Sequence, residues 1–251
     1  MDKKTRIRLD RLLVETMIVS SRERARALIM AGQVLVNENK IDKPGTLVSP
    51  DADIRVKAND NPYVSRGGLK LKGALQRFAI EVNGLVAIDV GASTGGFTDC
   101  LIQEGAIKVY AVDVGYGQLA WKLREDKRVI CIERTNIRYF NGAGITEKID
   151  LAVIDASFIS LKLVIPTVLS LIKEDAVILA LIKPQFEVGK GEVGKRGIVS
   201  DPDIHRKVIE EITNFCRGCH LDVLGTCESP LLGPVGNKEF FIYLRKTNES
   251  N

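Results

Sequence analysis

Three charges stand where an apolar run should not carry them. The run ending Ile154-Asp155 closes on an acid, and the run ending Ile182-Lys183 closes on a base. A third charge, Glu239, opens the last apolar run in Asn237-Lys-Glu-Phe-Phe241. A charge at the end of a buried strand is expensive unless it is paired. Neighbouring strands that end in opposite charges therefore predict an ion-paired site. A lone strand-end salt bridge would account for Asp155 and Lys183 but would leave Glu239 without a reason. Upstream, Asp89-Val-Gly-Ala-Ser-Thr-Gly-Gly-Phe-Thr98 runs from a strand through a glycine turn into a helix. Such a turn, with its backbone N–H groups free at the carboxyl edge of a parallel sheet, is a common seat for a nucleotide-like ligand. The alternative is a structural turn with no ligand. The glycines at 91, 95 and 96 lack the spacing of dinucleotide enzymes. About twenty residues further on, Val109-Tyr-Ala-Val-Asp113 ends in another acid, placed to accept from ribose hydroxyls. Asn136, beyond the third strand, stands at the same edge, where it is either an adenine contact or an ordinary loop residue.

These side chains need a sheet to hold them. Strand patterns fall at 86–90, 109–114, 129–133, 151–156, 176–182, 221–229 and 240–244. Most are separated by helical patterns, at 68–78, 96–103, 118–124, 161–172 and 203–216. That alternation predicts an α/β fold: a mainly parallel, Rossmann-like sheet with helices on both faces. The last two strands have no helix between them, which predicts an antiparallel strand at one edge. Residues 1–58 read differently, as a small α+β domain. Leu9, Leu12 and Leu13 give one helix, and a second runs from a cap at Ser20-Ser21 to Gly32. Residues 59–63 read as a linker and 64–251 as the larger domain. Arg6, Arg8, Arg11, Arg22, Arg24 and Arg26 offer a basic face for phosphates. The alternative is a solvated surface balanced by Asp10, Glu15 and Glu23.

Composition narrows the class. A chain of 251 residues with 45% hydrophobic residues folds as one large domain, or as a large and a small one. Its net charge of +4 suits a nucleic-acid partner without requiring one. No apolar run reaches the roughly 18 residues needed to span a bilayer. The charges of Met1-Asp-Lys-Lys-Thr-Arg6 precede no apolar stretch, so the expectation is a cytoplasmic protein with reduced cysteines and no stable membrane association. Gly189-Lys-Gly-Glu-Val-Gly-Lys195 has the spacing of a phosphate-binding loop, but Arg196 stands where the hydroxyl belongs. A basic loop over the active site is the better expectation. Cys216-Arg-Gly-Cys-His220 has the spacing of a haem attachment, and with Cys227 it suggests zinc. Helix-end cysteines in a reduced compartment are the simpler reading, and no metal is expected.

Two resemblances sharpen this picture. Arg8-Leu-Asp-Arg-Leu-Leu13, with the segment from Ser20-Ser-Arg-Glu-Arg-Ala-Arg26 to Val36-Asn37, resembles the small RNA-binding domain named after ribosomal protein S-four. Further motifs are Ser65-Arg-Gly-Gly-Leu-Lys70, the 89–97 turn, Asp155-Ala-Ser-Phe158, Leu181-Ile-Lys-Pro-Gln-Phe-Glu187 and 237–241. They resemble, in order, those of the TlyA-type ribosomal RNA methyltransferases, whose catalytic domain is RrmJ/FtsJ-like. The resemblance implies S-adenosylmethionine as cofactor, held by Asp89, Gly91, Ala92, Ser93, Thr94, Gly95, Gly96, Phe97, Asp113, Asn136 and Asp155. It implies an active set of Lys70, Asp155, Lys183 and Glu239. In that set Lys183 is the base, Asp155 and Glu239 hold and tune it, and Lys70 orients the ribose. Arg66 joins the RNA-facing arginines. The implied substrate is a ribose 2′-OH of ribosomal RNA within a ribosomal subunit, on a cytidine of the large (23S) and, in some members, the small (16S) subunit. Such a hydroxyl is a poor acid, so a positioned base and alignment with the methyl donor are what the reaction asks of the protein. Competing readings are a non-catalytic RNA-binding or assembly factor, a membrane-active haemolysin and a small-molecule methyltransferase. The complete charged set argues against the first. The lack of a spanning segment argues against the second. The last leaves the RNA-binding domain idle.

Overall fold

The computed structural model describes residues 6–16, 18–19, 21–56, 61–189, 191–194 and 197–247. Ser20, the linker residues Asn59 and Asp60, and Lys190, Lys195 and Arg196 of the glycine-rich loop lie outside the described residues. The chain forms two compact units, Met1–Pro62 and Tyr63–Asn251.

The first unit contains β1 (Ile7–Arg8), α1 (Leu9–Glu15), α2 (Arg22–Met30), β2 (Val34–Val36), β3 (Asn39–Ile41), β4 (Leu47–Val48) and β5 (Ile54–Val56). Ser21 starts α2 by accepting the Arg24 N–H at 3.2 Å. Gly32, at φ +67°, ends it. There the Gly32 and Gln33 N–H groups close onto the Ile29 and Leu28 carbonyls, which fulfils the expected glycine stop. Leu9, Leu12, Leu13, Ala25, Leu28 and Ile29 bury one face of both helices against Val34 and Val36. Beneath the arginines lies Asp10, whose side chain is fully buried. Arg8 grips it through two hydrogen bonds, at 3.0 and 2.9 Å, and Arg22 adds a third at 3.2 Å. Arg11 pairs with Glu15 at 2.6 Å. Three of the six arginines thus also serve the fold, while all six remain exposed.

The second unit is a seven-stranded sheet. Its elements are α3 (Gly67–Phe78), β6 (Val86–Val90), α4 (Gly96–Gln103), β7 (Lys108–Val112), α5 (Trp121–Arg124), β8 (Val129–Ile132), β9 (Ile149–Ile154), α6 (Leu161–Leu171), β10 (Ile172–Ile182), α7 (Pro184–Glu187), α8 (Pro202–Gly218), β11 (Leu221–Glu228) and β12 (Phe240–Lys246). The strand order is β11-β12-β10-β9-β6-β7-β8. Pairs from β10 to β8 are parallel, and β12 is antiparallel to both neighbours. This is the α/β architecture that the alternation predicts, with one refinement. The antiparallel strand lies one place in from the edge, and β11 forms the edge. With no helix to carry the chain across, it turns back along β11 and fills the gap beside β10. There Phe241, Ile242 and Leu244 are fully buried. One face of the sheet is covered by α6 and α8 through Val164, Ile165, Val168, Val208 and Ile212. The other is covered by α3, α4 and α5 through Leu71, Leu75, Leu101 and Leu123. Among the described residues no helix is long and apolar enough to cross a membrane.

The arginine grip holds the Asp10 carboxyl down at about 2, chiefly through the Arg8 hydrogen bonds. A carboxyl depressed on folding adds stability above the ordinary carboxylate range and loses it as the pH falls through its folded value. We expect Asp10→Asn to speed amide exchange across α1 and α2 at neutral pH, and the gap from the wild type to narrow as the pH falls toward 3. Hydrogen-exchange mass spectrometry on the full chain measures both.

Candidate active site

The carboxyl ends of β6, β7, β9 and β10 gather the predicted residues. Gly91 follows β6 with φ +87°. A Cβ there would lie 2.8 Å from the Asp155 carbonyl and 3.0 Å from the Ala156 nitrogen. Only glycine lets the ends of β6 and β9 come this close. The turn behind it is tightly held. Gly91 and Ala92 donate to the Val112 carbonyl, Gly95 to Ala92, and Ser93 to Asp113 Oδ2 at 2.7 Å. The expectation that this turn offers free N–H groups is therefore corrected at four of its residues, which have partners within the protein. Asp113 also accepts from Gly115 at 2.6 Å, so each of its oxygens keeps a lone pair for a further donor.

Two cavities open at this edge. The larger, about 920 Å³, is lined by Gly91, Ser93, Asp113, Asn136, Ser157 and Phe158 among others. The smaller, about 400 Å³, is lined by Arg66, Lys70, Thr94, Phe97, Asp155 and Leu232 among others. Gly91, Ser93 and Asp155 border both. The larger cavity is of a size to take a nucleoside-bearing cofactor. Asp113 and Asn136 sit in its wall as expected. Asn136 is held there by accepting the Arg138 N–H at 3.0 Å. Ala92, Thr94, Gly96 and Phe97 face the smaller cavity instead. Asp89 and Gly95 line neither. Gly95 packs toward Leu119 and Leu123. Asp89 is fully buried and caps the start of α4, taking the Thr98 N–H at 2.9 Å and the Thr98 hydroxyl at 2.6 Å. It is therefore not placed to touch a ligand in either cavity; it fixes the helix that follows the turn.

The four charged residues form two close pairs. Lys183, after β10, has its Nζ 2.6 Å from Asp155 Oδ1. That contact is an ion pair without hydrogen-bond alignment. The Lys183 hydrogen bonds go to Ser157 Oγ at 2.8 Å and the Asp155 carbonyl at 3.2 Å. Lys70 Nζ lies 2.5 Å from Glu239 Oε2. Both lysines are nearly buried, at 7% exposure, and Glu239 more so. Strand register explains the gathering. Ile182 pairs with Phe240 across β10 and β12, so Lys183 and Glu239 each come one residue beyond the same rung. Lys70 arrives from α3, whose start is drawn against α4 at Gly96. A Cβ on Gly96 would lie 2.9 Å from the Gly68 nitrogen. Lys70 then shares a cavity with Asp155.

Sequence reasoning missed three supports. Ser157 is a partner of Lys183. Glu187 accepts from Ser160 Oγ at 2.5 Å and the Leu161 N–H at 2.8 Å, tying the loop after β9 to α7. Asn237 is fully buried and binds both the Val199 N–H and the Gly197 carbonyl at 2.9 Å. Each lies inside a motif already singled out for its charge, and that position was the available signal. His205 is a buried core residue bonded to the Val199 carbonyl at 2.8 Å. Cys216 is fully buried, and burial pushes its thiol up to about 12. Among the described residues no three His, Cys, Asp or Glu side chains form a group that could hold a metal.

The chain is similar to known proteins over nearly all its length. Residues 63–246 match the model of the FtsJ-like methyltransferase family, and residues 7–54 match the S4 domain. The chain is 49% identical to YqxC of Bacillus subtilis over 96% of its own length and 86% of that protein's. It is 45% identical to the 16S/23S rRNA (cytidine-2′-O)-methyltransferase TlyA of Mycobacterium tuberculosis, over 96% of this chain and 90% of the relative. A solved, hemolysin-named protein from Streptococcus thermophilus superposes with a TM-score of 0.77 at 43% identity, covering 98% of this chain and 90% of the other.

Burial raises the Asp89 carboxyl to about 7, with the Thr98 hydroxyl opposing the shift and Asp155 adding to it. A carboxyl raised on folding binds its proton more tightly in the native state, so stability falls as the pH climbs from about 4 toward 7. Asparagine keeps the acceptor for Thr98 and removes the titration. The melting temperature of Asp89→Asn minus that of the wild type should therefore grow more positive from pH 4 to pH 7. A difference that stays flat across this range would contradict the assignment.

Proposed function

The chain belongs to the FtsJ-like methyltransferase family, and we propose that it transfers a methyl group from S-adenosylmethionine to a ribose 2′-OH of ribosomal RNA, on a cytidine. The observation that carries this reading is the place of Asp155, which borders both cavities, is ion-paired to Lys183 behind it and shares the smaller cavity with Lys70, itself paired to Glu239. When bound, the cofactor supplies an electrophilic methyl group on a sulfonium sulfur. The larger cavity suits it. Gly91 borders it with no side chain, Asp113 keeps acceptor capacity for ribose hydroxyls, and Asn136 stands in the wall.

The smaller cavity then receives the acceptor ribose. Lys183 takes the proton of the 2′-OH as its oxygen attacks. Asp155 holds Lys183 from one side, and Glu239 fixes Lys70 so that it orients the sugar. Much of the rate comes from holding the oxygen in line with the methyl group, which rigid, paired side chains on strand ends do well. Arg66 is exposed at the rim of this cavity and is placed for a phosphate. The arginine face of the first unit, Arg6, Arg8, Arg11, Arg22, Arg24 and Arg26, supplies further phosphate contacts. Residues 1–58 then act as the RNA-binding domain, 59–63 as the linker and 64–251 as the catalytic domain. Tyr63 belongs with the last, since it is buried there. A ribosomal RNA substrate implies a cytoplasmic protein acting on a ribosomal subunit, a partner supported by the resemblance to the Mycobacterium tuberculosis enzyme.

The test uses tritiated cofactor with each ribosomal subunit, followed by mapping of 2′-O-methyl stops by reverse transcription. Wild type should label a cytidine in the large-subunit RNA. Lys183→Ala should lose transfer by at least about a thousandfold, the upper scale of general-base catalysis, while S-adenosylhomocysteine binding by calorimetry stays within about threefold of wild type, a small change in binding free energy. Retained turnover in Lys183→Ala would remove Lys183 from the chemistry.

A further inference from the structure

We propose that Ser157 is a positioning residue for Lys183, its hydroxyl being the partner that stays satisfied whether the lysine is an ammonium or an amine. The inference rests on the reading of Lys183 as the base. Lys183 has its two hydrogen bonds to Ser157 Oγ and the Asp155 carbonyl, with the Asp155 carboxylate close by. A carbonyl and a carboxylate can only accept, whereas a hydroxyl accepts and donates. The distinction matters for a base. As an ammonium, Lys183 offers three N–H groups, and all three neighbours can accept. As an amine, it keeps two N–H groups and gains a lone pair, which neither Asp155 oxygen can satisfy. Ser157 can turn its hydrogen toward that lone pair and hold it until the 2′-OH takes its place. In the reaction the 2′-O–H bond breaks and the proton joins the Lys183 nitrogen. The oxygen's electron pair forms the bond to the methyl carbon, and the carbon–sulfur pair leaves with sulfur. The Ser157 hydroxyl then turns back to accept. An unpaired group at so buried a nitrogen is costly, so the adaptable partner stabilises the form that must react.

The fold holds Ser157 for this task at visible expense. The next residue, Phe158, has φ +63°, a conformation that side-chain-bearing residues avoid. Burial does not repay that strain, because Phe158 is 89% exposed. Among the described residues its ring meets one other ring, that of Phe186, at 4.9 Å. The reversal at Phe158 lies between two anchors on one short segment: Lys183 on the near side and Glu187, gripping Ser160 and Leu161, on the far side. Residues 183, 186 and 187 thus meet 157, 158 and 160–161 in order. Ser157 itself is exposed and lines the larger cavity. It therefore joins a buried amine to the open site, and its replacement leaves the core untouched.

Two readouts on the full chain separate this inference from the reading beneath it. The first is amine labelling with acetic anhydride, mapped by mass spectrometry, which needs no turnover. Because only the amine is acylated and Ser157 stabilises the amine, Ser157→Ala should label Lys183 at least about threefold more slowly than wild type, with Lys72 and Lys173 unchanged, and Ser157→Thr should restore the wild-type rate. The second is single-turnover methyl transfer to ribosomal subunits. Ser157→Ala should fall about tenfold or more in rate, the scale of a lost hydrogen bond to a charged group. Its cofactor affinity should stay within about twofold, well under a hydrogen bond's worth of binding free energy, and Ser157→Thr should recover most of the rate. Unchanged Lys183 labelling in Ser157→Ala overturns the pairing. Altered labelling with an unchanged transfer rate overturns the catalytic role. A wild type that labels as expected but methylates neither subunit overturns the methyltransferase reading and leaves the Ser157–Lys183 contact standing.

Discussion

The approach of β6 to β9 at Gly91 is the constraint on which the rest of the site depends. No side chain fits there, because the Asp155 backbone occupies the space a Cβ would need. Gly91 and Asp155 are walls common to both cavities. The larger is of a size for a nucleoside-like group, and the smaller carries Arg66, Lys70 and Asp155 in its wall. Group transfer between two bound molecules needs such a shared boundary, since reacting atoms must come within van der Waals contact. The positive φ at Gly91 and the hydrogen bonds from Gly91 and Ala92 to Val112 keep the opening fixed.

The charges at that boundary do not serve stability. Two nearly buried lysine–carboxylate pairs lose much of their solvation, and a well-packed apolar set would fold at least as well. Each pair is nevertheless close, and each lysine comes from a different element from its partner. Such placement gives rigid, pre-oriented groups that need no reorganisation during reaction. Asp89 shows the contrasting use of a buried acid. It caps a helix rather than facing ligand, and burial makes its proton hard to remove. Two carboxylates on adjacent parallel strands, Asp89 and Asp155, thus take different tasks because one lies inside the sheet and the other one step past its end.

Much of this was readable from the chain. Unbroken apolar runs such as 176–182 mark central strands buried on both faces, and the charges that end them mark the sheet edge where they sit. Asp155, Lys183 and Glu239 are conspicuous for that reason; Asp155 and Lys183 pair with each other, whereas Glu239, expected beside Lys183, pairs with Lys70. What escaped depends on contacts between distant segments. Ser157 and Glu187 look like ordinary loop residues until α7 folds back against the loop after β9. Arg8 and Arg22 read as phosphate ligands or as a solvated surface balanced by Asp10, because nothing local says that Asp10 points inward beneath them. Lys70 stands out through the family resemblance and not through its own neighbours in sequence, and its pairing with Glu239, 169 residues away, was not foreseen. The inner position of β12 escaped for the same reason. A missing helix signals an antiparallel return but not which side of β11 the strand takes.

That distance also orders the assembly of the site. The walls of the larger cavity come mostly from 90–138, where consecutive βα units pair with their neighbours and close short loops. The second ion pair needs α3 from the beginning of the unit and β12 from its end, and bringing these together costs the most chain entropy. Lys183 stands between these regimes, since β10 pairs with β9 before β12 must slot in beside it. The placement of Glu239 one residue before the last strand makes the Lys70 pair depend on the whole sheet having closed in register.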